Sequence, residues 1–258
     1  MTTATGGAQA VVRALRILKL FSGKHLSLSL KQVIEATQLN RTTVFRLLST
    51  LVAEGFLVRL ENGDYQLGPE LTALGGLAGN RDGLRRIARP ILEELVETVG
   101  ERTTLEVPSR GSDGRMTMLV IDEVSDSHRL GITEFAGNHL PIYATSTGKA
   151  FMAFSNDEML DGIFSEPVQA FTSKTPVSRP AVEKDLAKTK SQAYALVIEE
   201  LEEGLVAIGA PVFNASGAVC AAISIAGPTV RMTAERIPEL VVELKKSAEL
   251  ISQRMGYR

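Results

Sequence analysis

The chain has 258 residues, of which 44% are hydrophobic, so it is long enough for two domains that each bury a core. One cysteine excludes a disulfide framework, and no apolar run approaches the roughly 20 residues that cross a bilayer. The N-terminus lacks the basic and apolar regions of a secretory signal, so we expect a cytoplasmic protein without a membrane partner.

The net charge of −2 is unevenly distributed along the chain. Residues 1–70 carry eight Lys or Arg against five Asp or Glu, whereas the remainder carries 20 against 25. A basic N-terminal part favours nucleic-acid binding at that end, although solvated charges alone can produce an imbalance of this size.

Three helices are predicted in the N-terminal part. The first covers residues 8–21 and has an apolar face. The second begins with a capping box of Ser29 and Gln32, and the third begins after Asn40 and ends at Gly55. Because the second and third are joined by only a few residues, they form a predicted helix-turn-helix.

The third helix has an apolar face and a polar face. The buried stripe is predicted at the 0, 3, 4, 7 spacing of one helical face, formed by Val44, Leu47, Leu48 and Leu51. The opposite face collects cationic, hydroxylated and aromatic side chains, namely Arg41, Thr42, Thr43, Phe45, Arg46 and Ser49. Such side chains suit phosphates and base edges, so we interpret this helix as the recognition helix of a DNA-binding domain.

A β-hairpin is predicted directly after the recognition helix. Residues 56–59 and 65–67 have the apolar alternation of strands, and an Asn-Gly turn lies between them. The unit is therefore predicted to be a winged helix. We expect further DNA contacts from the second helix and the wing, at Ser29, Arg59, Asn62 and Tyr65.

Five motifs follow one another over nearly the whole chain: VVRALRILKLFSG, LSLKQVIEATQLNRTTVFRLLSTLVAEGFLV, YQLGPELTALG, LPIYATSTGKAFMAF and EEGLVAIGAPVFNASGAVCAAISIAGP. In this order they resemble the IclR family of bacterial transcriptional regulators. The resemblance implies a one-component regulator, expected to be a repressor, that binds a near-palindromic operator in double-stranded DNA. It also implies a homodimer or a dimer of dimers, with RNA polymerase as a further candidate partner.

We expect an α+β fold with a winged helix-turn-helix at 8–68, a linker helix at 69–83 and an effector domain at 84–258. The pattern after residue 84 predicts an antiparallel sheet with helices, and the resemblance makes this domain GAF-like. The linker helix carries an apolar stripe without an obvious partner in its own chain, formed by Leu71, Leu74 and Leu77. Such a stripe suits packing against a second copy.

Three constellations that could indicate catalysis each lack a required residue. The segment ATSTGKA has Tyr143 where a phosphate-binding loop needs glycine. The acidic residues of 199–203 have no histidine nearby and are interpreted as a solvated loop. Ser146 with His139 lacks both a G-x-S-x-G elbow and a fixed acid. We therefore expect no enzyme, no catalytic residue, no metal and no cofactor.

The family resemblance implies a small effector, commonly a carboxylate or aromatic acid, bound beside ATSTGKA and beneath ALVIEELEEGLVAIGA. The resemblance implies that Ser146, Thr147 and Gly148 present hydroxyls and backbone N–H groups at a helix start, which is an anion site. Thr145, also an expected effector contact, and Ser146 can alternatively serve only as caps of this helix. The remaining expected effector contacts are Leu130, Ile132, Tyr143, Val197, Glu200, Ala207 and Ser224.

The chain departs from the family patterns Y-x-x-D-D/N-E-E and G-x-R-C-I-A-A-P at Val197, Val206 and Ala207. If these positions line the cup, it is drier and roomier than a cup for a two- or three-carbon keto acid. We therefore expect an aromatic or otherwise largely apolar carboxylate, and a role in aromatic catabolism.

The alternative is a GAF-like small-molecule sensor that acts through a protein partner and uses its helix-turn-helix only as an interaction module. A salt-dependent gel shift with promoter DNA separates the two hypotheses.

Overall fold

The structure is a computed structural model that describes residues 9–21, 25–77, 80–111, 114–125, 137–156 and 158–257, without the side chains of 75–82 and 158. The chain divides into two compact units, Met1–Asp82 and Gly83–Arg258. Each unit has its own hydrophobic core, as the length and composition predict.

The first unit is a winged helix-turn-helix. Its elements are α1 (Gln9–Leu18), β1 (Ser27–Leu28), α2 (Leu30–Thr37), α3 (Arg41–Ala53), β2 (Leu57–Arg59), β3 (Tyr65–Leu67) and α4 (Pro69–Leu77). The three strands form a small antiparallel sheet in the order β1-β3-β2. The two-residue strand β1 is too short to give a periodic signal, and it was not predicted.

Local capping chemistry fixes the helix-turn-helix. Ser29 and Gln32 form the predicted capping box at the start of α2. At the start of α3, Asn40 Oδ1 accepts a hydrogen bond from the Thr43 N–H at 2.8 Å. Helix α3 is followed by Gly55 with φ of 74°, a left-handed conformation that glycine adopts without strain. The α1, α2, α3 and wing side chains then bury one common core.

The second unit is a sheet with helices. Its elements are α5 (Asn80–Val99), β4 (Arg102–Arg110), β5 (Met116–Val124), β6 (His139–Pro141), α6 (Ser146–Met152), α7 (Glu158–Ile163), α8 (Arg179–Gln192), β7 (Ala195–Ile198), β8 (Leu205–Phe213), β9 (Val219–Pro228) and α9 (Ile237–Arg254). The six strands lie in the order β6-β5-β4-β9-β8-β7 and all pairs are antiparallel. The α+β prediction is confirmed.

The two faces of this sheet have different neighbours. Alternate residues of the central strands, including Leu105, Val206, Ile208 and Ile223, pack with apolar side chains of α5 and α9. The residues between them face α6 and the candidate effector site. This alternation follows from the period of two along a strand. No helix in the described part of the chain is long and apolar enough to cross a membrane.

Candidate DNA-binding face and effector cavity

The recognition helix α3 has one buried face and one exposed face. Val44 and Leu48 are fully buried. On the opposite side Phe45 is 49% exposed, although aromatic rings of this size are usually covered. Arg41, Thr42, Arg46 and Ser49 are exposed as well, and Thr43 is half-buried. The predicted division of this helix is therefore present in the structure.

A groove of about 490 Å³ connects the recognition helix with α2 and the wing. It brings together three predicted DNA-binding residues from three elements, Ser29, Arg41 and Asn62. Ser29 is held by the capping box, and the Asn62 amide donates to Asp64 Oδ2 at 3.0 Å. Arg59 is exposed on β2. Loops and helix ends thus present polar groups along one surface of the first unit.

Tyr65 does not belong to this surface. Its side chain is only 3% exposed and packs in the core with Leu28 and Leu57. The alternation of β3 explains the difference, because neighbouring residues of a strand point to opposite faces and Gln66 is the exposed one. The prediction that Tyr65 contacts DNA is wrong.

The second unit contains a small cavity between α6 and the sheet. The residues that line it are Glu106, Leu140, Ala144, Thr145, Ser146, Thr147, Val197, Leu201, Leu205, Ala207, Ser224 and Ala226. Six of them were predicted as effector contacts: Thr145, Ser146, Thr147, Val197, Ala207 and Ser224. Its volume is about 20 Å³, and a single water needs about 10–15 Å³, so the expectation of a roomy cup is wrong for this conformation.

The sheet contributes an apolar row to the cavity. Val197 of β7 pairs with Ala207 of β8, which pairs with Ala226 of β9, so the three side chains share one face. Val206 does not line the cavity, because its side chain lies on the opposite face of β8, where it is buried with residues of α5 and α9. Only two of the three departures from the family pattern therefore alter the wall of the cavity.

Two of the predicted effector residues have other roles. The Tyr143 hydroxyl donates to the Gln169 carbonyl at 2.8 Å, its ring lies beside Phe171, and burial raises the pKa of its phenol. The Gly148 N–H donates to Thr145 Oγ1 at 3.2 Å, so this donor is already used by the helix cap. Neither residue lines the cavity. Leu130 and Ile132 lie outside the described residues.

Glu200 is a partner of a buried lysine and is not among the residues that line the cavity. Lys149 of α6 is 1% exposed, and its Nζ lies 2.6 Å from carboxylate oxygens of both Asp185 and Glu200. Burial raises the pKa of Glu200, although the attraction of Lys149 opposes the shift. The segment 199–203 is therefore only partly a solvated loop. The lysine within the apolar run KAFMAF was the signal for this pairing.

Six of the lining residues were not predicted, and Glu106 is the charged one among them. Its side chain is 2% exposed, and it accepts hydrogen bonds from Thr104 Oγ1 at 2.8 Å and Thr147 Oγ1 at 2.5 Å. The available signal was one acidic residue in the otherwise uncharged strand segment TTLEVPS. Within the described ranges no group of three or more His, Cys, Asp or Glu is arranged to hold a metal ion.

Two domain families match the chain. The IclR helix-turn-helix domain matches residues 10–61, and the family described as bacterial transcriptional regulator IclR C-terminal matches residues 78–253. These segments correspond to the helix-turn-helix with the first strand of its wing and to nearly all of the second unit.

Characterised relatives match over almost their whole length. The HTH-type transcriptional regulator KipR of Bacillus subtilis is 30% identical over 96% of this chain and 98% of its own. The transcriptional repressor IclR of Escherichia coli is 29% identical, covering 98% of this chain and 92% of its own. These relatives are transcriptional regulators and not enzymes.

A solved structure shows the same fold. An IclR homologue from Microbacterium hydrocarbonoxydans, crystallised with 4-hydroxybenzoate, superposes with a TM-score of 0.83 at 23% identity. The superposition covers 96% of this chain and 99% of that one. With a matched DNA-binding domain, a matched C-terminal domain and relatives of the same length, the chain belongs to the IclR family of bacterial transcriptional regulators.

Proposed function

We propose that this regulator acts in the cytoplasm, reads a near-palindromic operator with α3 and the wing, and responds to a small carboxylic acid bound in the second unit. The observation that carries the proposal is the exposed face of α3, where cationic and hydroxylated side chains surround a half-exposed phenylalanine. This surface suits the negative phosphates and the base edges of a major groove.

We assign the DNA contacts to Ser29, Arg41, Thr42, Thr43, Phe45, Arg46, Arg59 and Asn62. Arg41 lies at the start of α3 on the groove shared with α2 and the wing, which suits a phosphate contact. Arg46 lies in the second turn of α3 and is exposed as well. A guanidinium there suits either a second phosphate or a bidentate contact to guanine.

Replacing either arginine by alanine separates these roles. On an operator selected from random duplexes, losing a phosphate contact should weaken binding to all sequences and reduce the salt slope by about 1. Losing a guanine contact should cost about 1–3 kcal/mol at one base pair. The measurement is fluorescence anisotropy over a range of salt, with Arg254→Ala on the exposed end of α9 as control. Unchanged affinity and salt slope in both Arg41→Ala and Arg46→Ala would refute the assignment.

Two copies are needed to read two half-sites, which lie one helical turn or about 10 base pairs apart, or a multiple of it. We place the seam on the proposed linker, 69–83, through Leu71, Leu74 and Leu77. Leu74 supports this placement because 48% of it is exposed in the single chain. Light scattering should give a dimer or a tetramer at micromolar concentration. A monomer that binds its operator specifically as one copy would contradict the proposal.

The proposed effector is an aromatic or largely apolar carboxylate. Its apolar part would pack on Val197 and Ala207, and its carboxylate would contact Ser146 and Thr147 at the start of α6. A cavity that holds benzene has about 150 Å³, so binding of a ring requires side chains that line this cavity to move. The homologue crystallised with 4-hydroxybenzoate supports the proposal, because it shows that this fold accepts an aromatic acid. Control of aromatic catabolism is the corresponding physiological proposal.

A further inference from the structure

One part of the wall of the effector cavity is a loop. Leu201 lines the cavity and belongs to residues 199–204, which connect β7 with β8 and lie outside the helices and strands. Its neighbours Glu202 and Glu203 are exposed, so this β7–β8 loop has solvent on one side and the cavity on the other. The cavity volume is about 20 Å³, so an acid larger than water enters only when part of the wall moves. Loops open at a lower free energy than the strands of a sheet, and we therefore expect the β7–β8 loop to move.

The β7–β8 loop keeps its shape through its first residue. Glu199 has φ of 57°, a left-handed conformation that residues other than glycine rarely adopt. Its carboxylate accepts a hydrogen bond from the Gly204 N–H at 2.9 Å, which closes the loop upon itself. The same carboxylate pairs with Lys174. Because its two ends are bonded to each other, we expect the loop to move as one unit that includes Leu201.

Hydroxyl groups and one buried lysine tie the loop to its neighbours. Thr172 Oγ1 donates to the Glu199 carbonyl at 2.6 Å, and Thr175 Oγ1 donates to the Glu200 carbonyl at 2.6 Å. Lys149 of α6 lies with its Nζ 2.8 Å from Glu200 Oε1 and 2.6 Å from Oε2. Hydrogen bonds between ionised groups are roughly twice as strong as those between neutral groups. The contact of Lys149 with Glu200 is therefore the strongest of these ties.

Lys149 has a second carboxylate partner that does not belong to the loop. Asp185 lies on α8, and its Oδ2 is 2.6 Å from Lys149 Nζ. Breaking a buried ion pair is usually costly, because it leaves an unpaired charge in the interior. Here the ammonium, which is 1% exposed, keeps Asp185 as its partner when Glu200 leaves. The Glu200 side chain is 13% exposed and therefore lies close to water.

We infer that the β7–β8 loop is a lid over the effector cavity, and that Glu200 and Lys149 form its latch, which opens while Asp185 keeps the lysine paired. The inference rests on the proposed effector function and adds how an acid gains entry. An acid binds only to the open state, so its apparent affinity is reduced by the fraction of molecules that are open. The latch therefore sets the acid concentration to which the regulator responds.

Amide hydrogen exchange of the full-length protein, without acid or operator, tests the latch. The reporting amides are those of Glu199, which donates to the Leu205 carbonyl, and Gly204. Glu200→Gln keeps the shape of the side chain but removes its charge. Exchange in the lid should become about fivefold faster or more, equivalent to about 1 kcal/mol.

Asp185→Asn should have the opposite effect. Without the Asp185 carboxylate, opening of the lid would leave Lys149 as an unpaired buried charge, so exchange in the lid should become severalfold slower. Glu183→Gln is the matched control, because it removes a carboxylate from the same helix whose partner, Arg179, is exposed. It should leave exchange in the lid unchanged.

The two opposite effects distinguish a latch from a contact that only stabilises the fold. Exchange of β9 in the same samples reports on the stability of the sheet, and the lid is judged by its rate relative to β9. Faster relative exchange in both Glu200→Gln and Asp185→Asn would overturn the inference, since a purely stabilising bridge weakens in either variant. If Asp185→Asn does not fold, an unchanged relative rate in Glu200→Gln is sufficient to overturn it.

These results are separable from the proposed function, because exchange is measured without acid or operator. A protein whose operator affinity responds to an acid, but whose lid exchange is the same in both variants, would retain the proposed function and lose the latch. A protein that shows both shifts in exchange, but whose operator affinity responds to no carboxylic acid, would retain the latch and lose the proposed effector response.

Discussion

Gly209 is one of the residues that hold the helix start of α6 against the sheet beside the candidate effector cavity. A Cβ at this position would lie 2.4 Å from the Ser146 carbonyl carbon and 2.7 Å from the Thr147 nitrogen. Gly148 makes a similar approach on the other side, where a Cβ would lie 1.9 Å from the Ile142 carbonyl oxygen. The neighbours are backbone atoms, so they cannot rotate away, and only glycine fits.

Gly209→Ala should therefore destabilise the second unit by about 1–3 kcal/mol or more, the range for overpacking a buried site. Chemical denaturation at constant pH measures the change in the free energy of unfolding. Gly162→Ala is the matched control, because no atom lies within 4 Å of its Cβ and the residue is in helix α7. That change should be neutral or stabilising by about 0.5–1 kcal/mol. Equal effects of the two substitutions would show that the close approach at Gly209 is relaxed in solution.

At the scale of residues, the sequence predicted several residues that line the cavity, but it did not predict which side chains are in contact with each other. Thr145, Ser146, Val197 and Ala207 were predicted beside the cavity, and they do line it. Glu106 was missed because strand alternation gives a direction only when the register of the whole sheet is known. Glu200 was assigned to the effector, but its partner Lys149 lies 51 positions away in sequence. Local patterns contain no information about such a pairing.

At the scale of elements, both helices of the helix-turn-helix begin with a side-chain cap hydrogen bond. Helix α8 of the second unit begins without one. Asn40 accepts the Thr43 N–H, and Ser29 forms a capping box with Gln32. Ser178 stands at the same position before α8 but makes no side-chain cap hydrogen bond. Capping residues of similar type therefore contribute differently from one helix to another, since Thr145 does form a cap bond at the start of α6 in the same unit.

Asn40→Ala should cost about 1 kcal/mol, because the Thr43 N–H at the start of the recognition helix loses its acceptor. Amide hydrogen exchange in the first turn of α3 should become faster. Operator affinity should fall because this turn of the recognition helix is less ordered. Ser178→Ala should change stability by less than about 0.5 kcal/mol, since no cap bond is lost. Similar exchange rates at Thr43 in the wild type and in Asn40→Ala would contradict the role of this cap.

The helices were easier to predict than the short strands, for a physical reason. Helix α3 has 13 residues, so its apolar period repeats several times and both ends have recognisable residues. Strand β1 has two residues and β7 has four, and each is defined by its partner in the sheet. The terminal helix α9 begins at Ile237. The Ile237 N–H donates to the Thr233 carbonyl, so Thr233 belongs to the turn before this helix.

At the scale of the whole molecule, the fold class followed from the sequence because the two parts have different patterns. The basic N-terminal part has helical periods and one hairpin, and the acidic C-terminal part alternates strands and helices. The cavity size could not be predicted in this way. It depends on how closely Gly148 and Gly209 let α6 approach its neighbours, and this distance is a property of the packed structure.

The most direct test of the account is the operator affinity of the full-length protein with and without an acid that calorimetry shows to bind the second unit. A one-component regulator couples the two sites, so the acid should change operator affinity about 5- to 150-fold, equivalent to about 1–3 kcal/mol. The operator should change the affinity for the acid by the same factor, because linkage is reciprocal. Tight binding of the acid with no change in operator affinity, in either direction, would contradict the account.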